Sequence, residues 1–216
     1  MTTATIATTV TTTFEESKKK ALFALDIEGS GASFAHNGIV AIGWCVGTMD
    51  GAILEKKRIS VALKNRSFES RCVTQYWEKP AQAAQLKVFE KEALEPAEAM
   101  KQFIASVDRF EDMYDLVILT DNAAYDVAWL NYYLDLYLGR HPLSYKKDQS
   151  TYRPIAEPRG FAMARKMKSS NQASWTFDME KYNAGLTKLK SLTLHDHWPE
   201  NDAEHIYRKT LLLCDC

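Results

Sequence analysis

The chain has 216 residues, 46% of them hydrophobic and 25% charged, a globular composition that excludes wholesale disorder and a collagen-like fibre. Lys and Arg number 27 against 28 Asp and Glu, so the chain as a whole is not a polybasic nucleic-acid coat. No apolar run reaches about 18 residues, so no transmembrane helix and no membrane partner are expected.

Residues 1–13 hold eight threonines, and Lys18, Lys19 and Lys20 follow soon after. No contiguous apolar stretch forms the core of a secretory signal. Residues 1–20 are therefore expected to be a flexible Thr- and Lys-rich tail ahead of a single domain at 21–216. An extra Thr-rich strand and a basic contact to a phosphate backbone stay open as alternatives. The four cysteines, Cys45, Cys72, Cys214 and Cys216, make no C-x-x-C pair. That favours a reducing compartment over a disulfide framework or a structural zinc site. The expected location is intracellular, cytoplasmic or nuclear, and not secreted.

Residues 21–27 (ALFALDI) read as a buried strand closed by Gly29, Ser30 and Gly31. Residues 38–47 predict a second strand, and Met49-Asp50-Gly51 a turn into a third over 52–63. From residue 69 the spacing becomes helical, with Pro80 and Pro96 suited to the first turns of two further helices. Ala99, Met100, Phe103, Ile104 and Val107 form an apolar stripe on the latter. Residues 115–120 predict a fourth strand, 125–138 a buried helix and 200–213 a C-terminal helix, with 141–176 irregular. This order predicts a mixed α/β domain. Residues 91–135 carry ten acidic and three basic side chains, and residues 146–190 ten basic and four acidic. A neutral total thus hides a dipolar chain, as a metal-dependent enzyme acting on a polyanion would need, and as many solvated surfaces also show.

Three acidic clusters stand out. Asp26 and Glu28 alternate onto one face at the end of the first strand. Two anions so close repel and lose solvation, and a divalent cation with a preference for oxygen ligands removes that penalty. Two ordinary surface acids at a fraying strand end are the alternative. Asp126 ends the run Asn122-Ala123-Ala124-Tyr125-Asp126 at a helix start, where Asp121 or Asn122 also suits a helix cap. The run from His195 through His197 to Asp202 places Asp202 in the first turn of the last helix and His197 in the loop before it. A histidine there can take a proton from water near neutral pH; a solvated loop before a capped helix is the plainer reading.

In their order and spacing the three clusters resemble the motifs of the DEDDh family of 3′–5′ exonucleases: D-x-E at Asp26-Ile27-Glu28, N-x2-3-(F/Y)-D at Asn122–Asp126, and H-x4-D at His197–Asp202. The resemblance covers about residue 21 to the C-terminus. It implies an RNase H-like α/β fold, a mixed five-stranded sheet flanked by helices as in DnaQ-like exonucleases. It also implies that Asp26, Glu28, Asp126 and Asp202 hold two Mg2+ or Mn2+ ions and that His197 is the general base. Ser30, Gly31, Asn122 and Tyr125 would contact the substrate, a nucleic acid with a free 3′ end, while Phe34 or Trp77 would stack on a base. Several relatives are dimers, so a homodimer is an open expectation. The 97 residues between Glu28 and Asp126, including Tyr76-Trp77, and the basic stretch before His197 depart from the family pattern. An RNase H-like endonuclease and a non-catalytic nucleic-acid-binding module on the same fold are the competing functions.

Overall fold

The structure, a computed structural model, describes residues 18–148, 151–158, 179–192 and 196–215. The strands are β1 (Lys20–Gly29), β2 (Ile39–Thr48), β3 (Ile53–Ser60), β4 (Asp115–Leu119) and β5 (Ile155–Ala156). The helices are α1 (Ser70–Cys72), which runs into a π-helical turn (Val73–Trp77), then α2 (Pro80–Glu92), α3 (Pro96–Met113), α4 (Asp126–Leu138), α5 (Met179–Leu192) and α6 (Pro199–Asp215). The sheet order is β3-β2-β1-β4-β5. β1, β2 and β3 form an antiparallel meander, while β4 runs parallel to β1 and β5 parallel to β4.

Side-chain alternation gives the sheet two different faces. Phe23, Leu25 and Ile27 of β1 and Ile42, Trp44 and Val46 of β2 point to the main core, where they meet Met100, Phe103 and Val107 of α3 and Trp129, Leu130 and Tyr133 of α4. The opposite face carries Leu22, Ala24, Asp26 and Glu28, paired across to Gly47, Cys45, Gly43 and Ala41. These small β2 residues make a flat bed for α6, which buries Ala203, Ile206 and Tyr207 there. Gly43 is the tightest point: a Cβ on it would lie 2.0 Å from the carbonyl carbon of Pro199 and 2.1 Å from the amide nitrogen of Glu200. Only glycine lets the helix start lie this close to the strand. Ion pairs from the edge strand hold α6 down, Lys56 Nζ to Glu204 at 2.6 Å and Arg58 to Glu200 at 3.0 Å.

Strands 1 to 4, the helices opened by Pro80 and Pro96, α4 and α6 lie where the sequence predicts them, within a few residues. β1 begins at Lys20, inside the expected tail. Two elements go beyond the sequence reading. β5 is only two residues long and lies within the stretch expected to be irregular, held by pairing of Ile118 with Ile155 and Leu119 with Ala156. α5 is the other; its sequence mixes lysines among few apolar residues. Residues 1–17 and 159–178, together with the tail and basic-stretch readings made on them, lie outside the described residues, as does His195. Among the described residues no helix is long and apolar enough to cross a membrane.

Candidate active site

β1 and β4 run parallel, so the loops that leave their carboxyl ends emerge side by side, the usual place for a site in such a sheet. Asp26 and Glu28 stand on the α6 face at the end of β1. Asp126 opens α4, which follows β4 through a short loop, and Asp202 lies in the first turn of α6. Asp126 and Asp202 are 4% and 3% exposed, a burial that carboxylates reach only with partners. The hydroxyl of Thr120 donates to Asp126. The ligand atoms of Glu28, His197 and Asp202 all lie within 4.8 Å of one another, with His197 Nδ1 3.8 Å from Glu28 and 4.0 Å from Asp202. Asp26 and Asp126 complete the cluster electrostatically: burial, then Glu28, Asp126 and Asp202, hold the carboxyl of Asp26 well above its ordinary range. Burial likewise pushes Glu28 up to about 8 and Asp126 up to about 7. These three carboxyls beside Asp202, all hard oxygen donors, are a donor set suited to Mg2+ or Mn2+.

The loop that carries His197 is held on three sides. The carboxylate of Asp196 accepts from the Trp198 amide at 3.2 Å and from the Asn201 side chain at 3.0 and 3.1 Å. Its carbonyl accepts from the buried Gln85 of α2 at 2.7 Å. Trp198 stands edge-on to Phe89 with centroids 5.3 Å apart, and its ring lies under the Arg58 guanidinium at 4.5 Å. His197 itself has φ +62°, the left-handed region, a conformation that costs a non-glycine residue of order 1–3 kcal/mol and persists where its surroundings enforce it.

The expected substrate residues divide. Tyr125 lines a cleft of about 250 Å³ with Gly31, Ala32, Arg71 and Tyr76, and its hydroxyl donates to the Gly31 carbonyl at 3.0 Å. Phe34 remains 38% exposed, stacked beside Tyr132. Ser30 is fully buried: its hydroxyl donates to Ser67 O and accepts from Gly38 N, both at 2.9 Å, so its work is to fix the loop. Asn122 acts through its carbonyl, which accepts from the amides of Tyr125 and Asp126 at 2.9 and 2.8 Å. The side-chain cap expected of Asp121 or Asn122 is corrected, because α4 has no side-chain cap hydrogen bond and Asp121 faces Lys209 at 3.5 Å. Trp77 is also corrected as a base-stacking residue. It is 3% exposed, walled in by Phe68, Tyr76 and Phe89, and donates to the Gly29 carbonyl at 3.2 Å. Its neighbour Tyr76, given no role from sequence, reaches Glu28 instead, its hydroxyl 2.8 Å from Oε2. The helical spacing of Tyr76 beside Trp77 was the one local signal, and it did not say which ring faces the carboxylates. A larger cavity, about 640 Å³, lies at the other end of the sheet around Lys18, Asp115 and Lys146, away from all four motif carboxylates.

No family model matches this chain, and no curated protein sequence matches it. Solved structures do. A product-bound structure of exonuclease I aligns over 90% of this chain and 43% of its own, with TM-score 0.60 and 12% identity. Escherichia coli exonuclease I in complex with a dT13 oligonucleotide aligns over 90% and 41%, with TM-score 0.62 and 13% identity. A zinc-bound form of the E. coli exonuclease I complex with single-stranded DNA aligns over 92% and 41%, with TM-score 0.61 and 12% identity. The chain thus spans about two fifths of the length of the structures it matches. The shared architecture is the mixed five-stranded sheet with flanking helices of the RNase H-like fold.

Proposed function

We propose that the chain is a metal-dependent 3′–5′ exonuclease that hydrolyses phosphodiester bonds from the 3′ end of RNA or DNA. The observation that carries this reading is the convergence of Asp26, Glu28, Asp126, Asp202 and His197, from three separate segments, on one end of the sheet. The three motifs of the DEDDh pattern and the fold shared with exonuclease I, solved with single-stranded DNA, support it.

Asp26, Glu28, Asp126 and Asp202 would hold two divalent cations, Mg2+ or Mn2+. When bound, such a pair offsets the charge that develops on the phosphate and lowers the pKa of attacking water. The side chains do the remainder. Four carboxylates balance the charge of the cations, and their burial keeps competing water out. His197, on the rim at the point nearest Glu28 and Asp202, takes the proton from the attacking water as its imidazole is held by the clamped loop. The cleft beside Gly31 and Tyr125 receives the terminal nucleotide, with Arg71 at its wall to meet phosphate.

The test uses 5′-labelled single-stranded RNA and DNA of one sequence, with Mg2+, Mn2+ or EDTA and an Asp26→Asn control. The expected result is a ladder shortening from the 3′ end that EDTA and the variant abolish. His197→Ala should lower turnover by ~10²–10⁴ while Mn2+ binding remains. Cleavage of a circular single strand would replace this reading with an endonuclease, and intact strands under both metals would replace it with a binding module.

A further inference from the structure

One of the two segments that depart from the family pattern touches the cluster directly. α1 and the π-helical turn are docked on the end of β1 by two contacts to one carbonyl: Trp77 Nε1 donates to Gly29 O at 3.2 Å and Cys72 Sγ lies 3.7 Å from it. A π-helical turn shifts the angular positions of the residues that follow it, and such turns recur at functional sites. Here it sets two adjacent aromatic side chains to different tasks. Trp77 enters the core, and Tyr76 turns to the carboxylates. The Tyr76 hydroxyl donates to Glu28 Oε2 at 2.8 Å. Its ring stands edge-on to the imidazole of His197, with centroids 5.0 Å apart and planes at 89°. The other Glu28 oxygen, Oε1, is the one that faces His197.

Resting on the metal-dependent reading above, we infer that Tyr76 is a positioning residue for both halves of the centre. By engaging Oε2 of Glu28 it fixes the carboxylate so that Oε1 is presented to a cation, and by its ring edge it fixes the plane of the His197 imidazole. An outer partner that orients a ligating carboxylate typically accounts for ~10–100-fold in metal affinity or activity. Tyr76→Phe removes the hydroxyl and keeps the ring; Tyr76→Leu removes both. The two contributions are therefore separable.

The experiment measures Mn2+ binding to the full chain by calorimetry and by the loss of the free-ion paramagnetic resonance signal, beside kcat and KM for a labelled oligonucleotide. Tyr76→Phe should weaken Mn2+ binding by ~10–100-fold and recover kcat when Mn2+ is raised. Tyr76→Leu should not recover kcat at any Mn2+ concentration. Mn2+ affinity within twofold of wild type in Tyr76→Phe would overturn the inference while the metal centre itself stands. A wild-type chain that takes up no Mn2+ would remove the metal reading, and this inference with it. Should either variant lose its near-ultraviolet dichroism, the native chain supplies the decision. Its tyrosine ultraviolet difference spectrum should shift on adding Mn2+, because Glu28 then shares its charge with the cation, and no shift at saturation would overturn the inference.

Discussion

Replacing Glu28 with Gln separates a cluster built for a cation from one built for stability. Burial, with Asp202 and Asp126 adding to it, pushes the Glu28 carboxyl from 4.5 to about 8. At pH 7 the folded, metal-free chain therefore keeps a proton that the unfolded chain releases. Because the folded value is the higher one, the favourable contribution is present below pH 4.5 and is lost as pH rises toward about 8. Neutral pH lies about 2.5 pH units above the ordinary value, and each pH unit is ~1.36 kcal/mol. Glu28 thus costs the metal-free fold up to about 3 kcal/mol at pH 7, a ceiling because Asp26 and Asp126 titrate with it. Glutamine has the same shape, accepts the Tyr76 hydroxyl through its amide oxygen, and does not ionise. In EDTA at pH 7, Glu28→Gln should raise the melting temperature by up to roughly 10 °C for a chain of this size, with the difference closing near pH 5. Mg2+ or Mn2+ should raise the wild type and not the variant. The assay is calorimetric melting at pH 5, 6, 7 and 8, with and without metal. A variant that melts below wild type in EDTA at pH 7, or a difference that ignores pH, would refute the reasoning.

Gly43→Ala should force the start of α6 off β2, costing about 1–3 kcal/mol in urea unfolding and weakening Mn2+ binding as Asp202 moves; an unchanged Mn2+ titration would count against the close approach at this strand. Gln85→Ala removes the donor to Asp196 O, so turnover should fall with KM retained because the His197 loop loosens, at a stability cost of about 1–3 kcal/mol; equal loss of substrate binding would contradict that division. Arg153 is 2% exposed and pairs with Glu111 at 3.0 Å, so Arg153→Met should cost about 3–5 kcal/mol by leaving a charge unpartnered, with turnover of the folded fraction unchanged in a thermal melt followed by a cleavage assay.

What could be read from the residues was whatever local pattern controls. The apolar run of β1, the β2–β3 turn at Asp50-Gly51, and Pro80 and Pro96 at helix starts are each decided within a few positions. The acidic motifs were legible because their types and spacing survive in one dimension. What stayed hidden depends on partners far along the chain. β5 exists only because β4 offers Ile118 and Leu119 to Ile155 and Ala156. Trp77 and Tyr76 are adjacent, and only the π-helical turn decides that one is buried and the other meets Glu28. Asp121 looked like a cap until Lys209, 88 residues away, drew it outward. Gln85 and Asp196 are 111 residues apart, and nothing near either one announces their contact.

The bed of small residues on β2 has a consequence for how the protein is made. Asp26 and Glu28 precede His197 and Asp202, which arrive with α6, by about 170 residues along the chain. Until that helix settles over Gly43 and Gly47, the first two carboxylates stand on an uncovered sheet face without the histidine or the fourth acid. On the nuclease reading proposed above, a chain still lacking this helix would hold an incomplete centre. The same arrangement makes the docking of one helix the event that both closes the second core and completes the centre.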